Sequence, residues 1–180
     1  AQVRDNGQIN MALCCDFLSR RLSLHTDVEQ RYTFAERYAA LLQYHDASWI
    51  NIWSATSAYY HALRGEAEAI PEIFSQHRLS TINMLAPGKP MMEMIENQVD
   101  LAQGAYAKVV GRSAELLAVC EAMHYALVAL HIRIQTAAAY EKLGKTEEAR
   151  VWLRKALADA EPDGFVMPFV ENYDCLQPIL

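Results

Sequence analysis

The sequence predicts an all-α chain folded as a row of helix hairpins, and three observations carry that reading. Of its 180 residues 52% are hydrophobic, against only 7 glycines and 6 prolines, which suits helices better than a turn-rich sandwich. Glycines in related contexts, LRGEAEAI, AQGAYAKV and KLGKTEEA, stand at Gly65, Gly104 and Gly144, 39 and 40 residues apart. The stretch from His131 to Asp163 reads as one complete hairpin. Ala137, Tyr140 and Leu143 on its first helix face Ala149, Leu153, Ala156 and Leu157 on its second, across a break at Gly144-Lys145. Alanines at 137, 149 and 156 permit close approach. Gly144 suits the left-handed conformation that closes a helix, Thr146 is placed to cap the next, and Glu147 and Glu148 lie at its positive end. Pro162 stops it.

The remaining elements follow in order. Asp5-Asn6-Gly7 marks a turn, after which Ile9, Leu13, Phe17 and Leu18 outline a helix ending near Leu24. Thr26 and Glu29 form a capping-box pattern for a second helix, with Phe34, Tyr38, Leu41 and Leu42 on one face and an end near His45. Asp46 is placed to cap a third helix through Trp49, Ile52, Trp53, Thr56, Tyr60 and Leu63, ending at Gly65. A helix from Ala67 to Leu79 would complete that hairpin. Two prolines in Leu85-Ala86-Pro87-Gly88-Lys89-Pro90 force a loop, and Met91, Met92, Met94 and Ile95 begin the helix that reaches Gly104. Toward the N-terminus the match to the last hairpin decays: Val109 and Ile70 stand where Ala149 does, Ser113 and Phe74 where Leu153 does. The tail FVMPFVENYDCLQPIL, interrupted by Pro168 and Pro178, reads as short helices covering the open end. One domain, 1–180, is expected, with hairpins over 8–45, 47–79, 91–122 and 124–161 and a cap over 165–180.

Composition excludes several functions. A formal net charge of -6 lacks the positive surplus that nucleic-acid phosphates select, so no direct nucleic-acid contact is expected. No apolar run approaches a membrane span and AQVRDNGQIN has no signal-peptide core, so no membrane is expected and a cytoplasmic location is. The 4 cysteines include an adjacent pair, Cys14 and Cys15, but no CxxC, which argues for buried free thiols over a disulfide framework or zinc ribbon.

Fragments of catalytic and metal motifs occur. Gly144-Lys145-Thr146 copies the end of a phosphate-binding loop, but Ala139 replaces the earlier glycine and no strand precedes it. Glu121 and His124 have the E-x-x-H spacing of a di-iron ligand pair, without the second pair and further glutamates that chemistry needs; Cys120 adds only one more donor. With no nucleophile signature, the expectation is a non-enzyme without cofactor or metal. Trp49, Trp53, Tyr59 and Tyr60 suit either stacking on a ligand or ordinary helix packing.

Ala137, Tyr140, Gly144, Ala149, Leu153 and Ala156 fill six positions of the tetratricopeptide pattern, with the proline one place late. The hairpin resembles that repeat, which implies a tetratricopeptide-like α-α superhelix of about four hairpins with a short C-terminal cap. In such a superhelix the first helix of each pair usually lines the concave face. Candidate groove residues for a peptide or small-molecule effector are then Trp49, Ile52, Trp53, Tyr59, Met91, Met94, Gln98, His131 and Glu141, with Ala55, Ile134 and Ala138 between them. The same residues could instead pack against the next pair.

From Gly65 to Leu180 the chain also resembles the region preceding the C-terminal DNA-binding domain of large MalT-like, LuxR-type ATP-dependent transcriptional activators. The residues that carry this are Ala137 to Tyr140, Leu143-Gly144, Glu148-Ala149-Arg150, Leu153 to Leu157, and above all Ala160 to Phe169. There a helix ending in A-x-P-x-G is followed by an apolar pair and Pro-Phe. Met167 stands where that family often has Arg, so no polar contact is carried over to it. The resemblance implies an ATPase module and a helix-turn-helix in the parent protein; neither pattern occurs here, and the chain reads as a middle domain. Its expected role is a regulatory sensor that binds an effector or protein, relays to the other domains of the parent regulator, and self-associates. The alternatives are a pure docking scaffold and, more remotely, a helical enzyme or metal protein.

Overall fold

A computed structural model describes residues 8–27, 33–44, 47–82 and 86–180, and every regular element among them is helical. The α-helices are α1 (Ile9–Ser23), α2 (Phe34–Leu42), α3 (Ala47–Leu63), α4 (Glu72–Ser75), α5 (Lys89–Ala102), α6 (Tyr106–Ala122), α7 (Ala126–Lys142), α8 (Thr146–Ala160), α9 (Met167–Glu171) and α10 (Tyr173–Leu176). Short 3-10 turns occupy Ala67–Ala69, Leu79–Thr81, Ala86–Gly88, Glu161–Asp163 and Gln177–Ile179. Among the described residues no helix is long and apolar enough to cross a membrane.

The second half is paced by its corners. Gly104, His124, Gly144 and Gly164 all take positive φ, 76°, 56°, 73° and 63°, at intervals of 20 residues. At each, the next residue's N–H reaches back to a carbonyl of the finished helix: Ala105 to Asp100 at 2.8 Å, Tyr125 to Cys120 at 2.9 Å, Lys145 to Tyr140 at 2.9 Å and Phe165 to Ala160 at 3.2 Å. This bond satisfies a carbonyl the helix end would otherwise leave bare. Gly65 (φ 69°) does the same for α3, through Glu66 to His61 at 2.9 Å. Because nothing lies within 4 Å of a Cβ built on Gly144, Gly144→Ala pays only the left-handed backbone cost, about 1–2 kcal/mol. His124→Gly relieves that cost but loosens the unfolded chain, so its net change stays within about 1 kcal/mol. Urea titration of both variants checks the pair.

Helices α5 to α8 pack in sequence, and α5 also packs on α3 and α7. Every residue from Met94 to Leu101 is buried, so α5 is covered on all sides. Ala137, Ala149 and Ala156 are wholly buried between α7 and α8, as their size required, while α10 and the Gln177–Ile179 turn place Leu176 and Ile179 on that core. A second cluster joins Tyr59, Phe74, Ile95, Val99, Leu116 and Ile132. A third, small one holds Ile9, Ala12, Leu13 and Leu41 under Trp49 and Trp53.

Several expectations are corrected. The helix over Ala67 to Leu79 is absent, so the 47–79 unit has one long arm. Pro71 lacks an N–H and drives Ile70 to extended backbone (ψ 126°); α4 then lasts four residues before His77 turns at φ 54°. The capping box of α2 is Thr33 with Glu36, through Glu36 N–H to Thr33 Oγ1 at 3.1 Å and Thr33 N–H to Glu36 Oε2 at 2.7 Å. Thr26 instead donates its hydroxyl to Leu22 O at 2.9 Å. Thr146 lies inside α8, and Lys145 at its N-cap makes no side-chain cap bond. Leu18, Leu42, Leu143 and Leu157 are exposed rather than packed. Asp5-Asn6-Gly7, Glu29, His45, Asp46 and Leu85 lie outside the described residues.

Candidate functional site

Four of the predicted groove residues converge where α3, α5 and α7 meet. Tyr59 comes from α3, Met94 and Gln98 from α5, and His131 from α7, with Gln135 one turn beyond His131 on the same face. Gln135 Nε2 donates to Met94 O and to Gln98 Oε1, both at 3.0 Å. All five side chains are buried, at 5% exposure or less, so of the two readings left open by the sequence, groove lining or packing against the next pair, these residues take the second. Amide pairing is what lets two glutamines be buried there.

The other predicted residues lie apart from this group. Trp53 donates Nε1–H to Phe34 O at 3.0 Å and packs its ring 4.7 Å from Tyr38, and Trp49 covers the small N-terminal core: both act in helix packing. Ile52 and Met91 are exposed. Glu141 is half-buried near the end of α7, with Oε2 buried and unpartnered.

Two residues that sequence reasoning missed complete the site. Arg21 of α1 grips Glu171 at the end of α9 with both arms of its guanidinium, Nε to Oε1 at 2.5 Å and Nη2 to Oε2 at 2.8 Å, across 150 residues of sequence. The Glu171 side chain is fully buried. Tyr59 donates its hydroxyl proton to Glu171 Oε2 at 2.9 Å, leaving the hydroxyl oxygen as acceptor for His131 Nδ1–H at a longer 3.4 Å. That order assigns the Nδ1–H tautomer to His131. Bidentate arginine and carboxylate form one of the stronger charge-assisted pairs available to a protein. The chain Arg21–Glu171–Tyr59–His131 therefore ties the first helix, through the interior, to the C-terminal cap.

Its electrostatics hold one protonation state. Burial first, and then the Glu171 charge, push the Tyr59 phenol well above its ordinary value, so it stays a donor. Burial and the nearby Arg21 charge lower His131 from 6.5 to about 4, with Glu171 opposing. The folded state thus binds fewer protons at His131 than the unfolded chain does. Its contribution is complete above pH 6.5 and is lost as pH falls from 6.5 to 4, by about 3 kcal/mol in all. Urea midpoints at pH 7.5 and pH 5 are expected to differ for the native chain and to differ less for His131→Gln.

Each of these groups already has a partner within the chain, and together the bonds join α1, α3, α7 and α9. The E-x-x-H pair does not grow into a metal centre: Glu121 is exposed and sits 3.8 Å from Arg133, and His124 turns a corner. Among the described residues no three His, Cys, Asp or Glu side chains are grouped to hold an ion. Cys120 is buried, which raises its thiol pKa and makes it a poor nucleophile, whereas Cys14 and Cys15, expected to be buried, are exposed on α1. Comparisons with protein-family models, with curated proteins and with solved structures find no match.

Proposed function

We propose that this chain is a non-catalytic regulatory domain, a tetratricopeptide-like stack of helix hairpins within a MalT-like, LuxR-type regulator. The 20-residue corner spacing and the resemblance over Ala160 to Phe169 support the family reading. The observation that carries the regulatory part is the Arg21–Glu171–Tyr59–His131 lock. It closes the face that would otherwise accept a ligand, and it does so with a first helix whose main contacts are with α3 alone. Two states follow: closed, with α1 docked, and open, with Tyr59, His131 and the α5–α7 face uncovered. An effector or a neighbouring domain shifts this balance only if it binds the open state better.

The test compares the native chain with Arg21→Met, which leaves the buried Glu171 carboxylate without its counter-charge and so disfavours the docked state, in calorimetry against sugars, phenolics and short peptides. A ligand whose apparent affinity rises in the variant supports the reading, because less of the population then sits in the incompetent state. A ligand that binds both forms equally, or no ligand for either, removes the sensor function. A pure docking scaffold is favoured by one observation, the filling of the predicted groove. Capture of the parent ATPase module by the native, locked chain would support that second reading.

A further inference from the structure

A cleft of about 550 Å³ opens where the irregular segment 77–82 faces α5 and α6. It exists because Pro71 and His77 break the helix that would have packed there. Its chemistry is set by a network mirrored about Gly104: Glu96 and Asp100 precede the corner by eight and four residues, and Lys108 and Arg112 follow it by four and eight. Arg112 binds Glu96 Oε2 at 2.7 Å and also pairs with Asp100 and with Asn97 Oδ1. Lys108 Nζ lies 3.3 Å from Asp100, while His77 reaches Glu96 at 3.2 Å and Asp100 at 3.5 Å.

The two most deeply buried carboxylates lie beneath the cations. Side chains of Asp100 and Glu96 are 0% and 9% exposed, behind Lys108 at 42%, His77 at 35% and Lys89 at 69%. Glu96 and Asp100 are engaged from the inner side; on the outer wall Glu93, 31% exposed, stands 3.6 Å from Lys89, and the other charged or ionisable groups there, Lys108, Arg112 and His77, offer N–H donors. Leu79, Ile82 and Met92 supply an apolar side to the same cleft. A ligand that complements this wall brings acceptors and negative charge at one end and a short hydrocarbon at the other.

We propose that the cleft bounded by His77, Lys89, Met92, Lys108 and Arg112 binds a small amphiphilic anion, a carboxylate or phosphate headgroup carrying a short apolar chain. The headgroup meets Lys108, Lys89 and His77, and the chain lies along Leu79, Ile82 and Met92. This site is separate from the Arg21–Glu171 lock, so the proposal stands or falls independently of the regulatory reading.

The experiment is calorimetric titration of the full chain with sodium octanoate, octyl phosphate, octylammonium and octanol, each below its aggregation threshold. Saturable one-to-one binding of octanoate or octyl phosphate, at least tenfold tighter than octylammonium or octanol, is the expected result. The tighter of the two anions names the headgroup. Lys108→Gln alters only an exposed end of the network and is expected to weaken anion binding about tenfold or more, since a charge-assisted bond is lost. Lys155→Gln on α8, outside the cleft, is expected to leave binding unchanged. Equal binding of all four amphiphiles, no binding at millimolar concentration, or an anion affinity indifferent to Lys108→Gln would each overturn the proposal.

Discussion

Arg21→Met is expected to lower the unfolding free energy by about 3–5 kcal/mol, because it leaves the Glu171 carboxylate buried and without its counter-charge. The expected loss is large for a surface-starting helix because the two charges meet inside, with Tyr59 donating to the same oxygen. Glu171→Leu strands Arg21 in turn, although Arg21 retains some solvent contact and its loss should be smaller. The double variant Arg21→Met/Glu171→Leu removes both charges and is expected to recover most of the deficit, since well-packed apolar replacements of buried ion pairs are often neutral. Urea denaturation of all four forms gives the coupling energy directly. A single-variant loss under about 1 kcal/mol would show that the pair behaves as an exposed one. Hydrogen exchange adds a spatial readout: protection should fall first in α1.

Phe74→Ala is the second large expected effect, about 3–5 kcal/mol for a wholly buried aromatic side chain. Its helix, α4, has only four residues, far below the length at which a helix holds by itself. Phe74 and Ile70 are therefore the pins that keep 67–82 against α3 and α5. Loss of the pin should unprotect amides of this segment in hydrogen exchange and, because the segment walls the anion cleft, abolish octanoate binding as well. A variant that loses stability while keeping exchange protection across 70–82 would contradict this account of the segment.

The glycine corners were legible because positive φ has a local signature, and the alanines of α7 and α8 were legible because close helix approach demands small side chains. His124 escaped because a histidine in the left-handed region announces nothing in sequence; only its 20-residue distance from two glycines marks it. Pro71 stands in plain view in the sequence, and its missing N–H and restricted preceding residue are incompatible with one helix over 67–79. The pairing of Glu96 and Asp100 with Lys108 and Arg112 was also open to inspection, since residues equidistant from a tight corner face one another. Arg21 and Glu171 were out of reach, as no periodicity relates residues 150 positions apart. Tyr59, Met94, Gln98 and His131 stand out in the sequence as a set, yet their exposure is not legible there: buried glutamines bonded to each other look, in sequence, like the polar lining of a groove.

The contrast between corner contacts and the one long-range pair also sets an order of events in refolding. Helices joined by tight corners meet after short chain closures, whereas joining Arg21 to Glu171 closes a loop of 150 residues, at an entropic cost of about 4 kcal/mol that grows only logarithmically with length. Docking of the first helix should therefore come after the transition state. Substitutions at Arg21 should accelerate unwinding of the native chain while leaving its rate of formation almost untouched, and stopped-flow chevrons would display that asymmetry in a single limb.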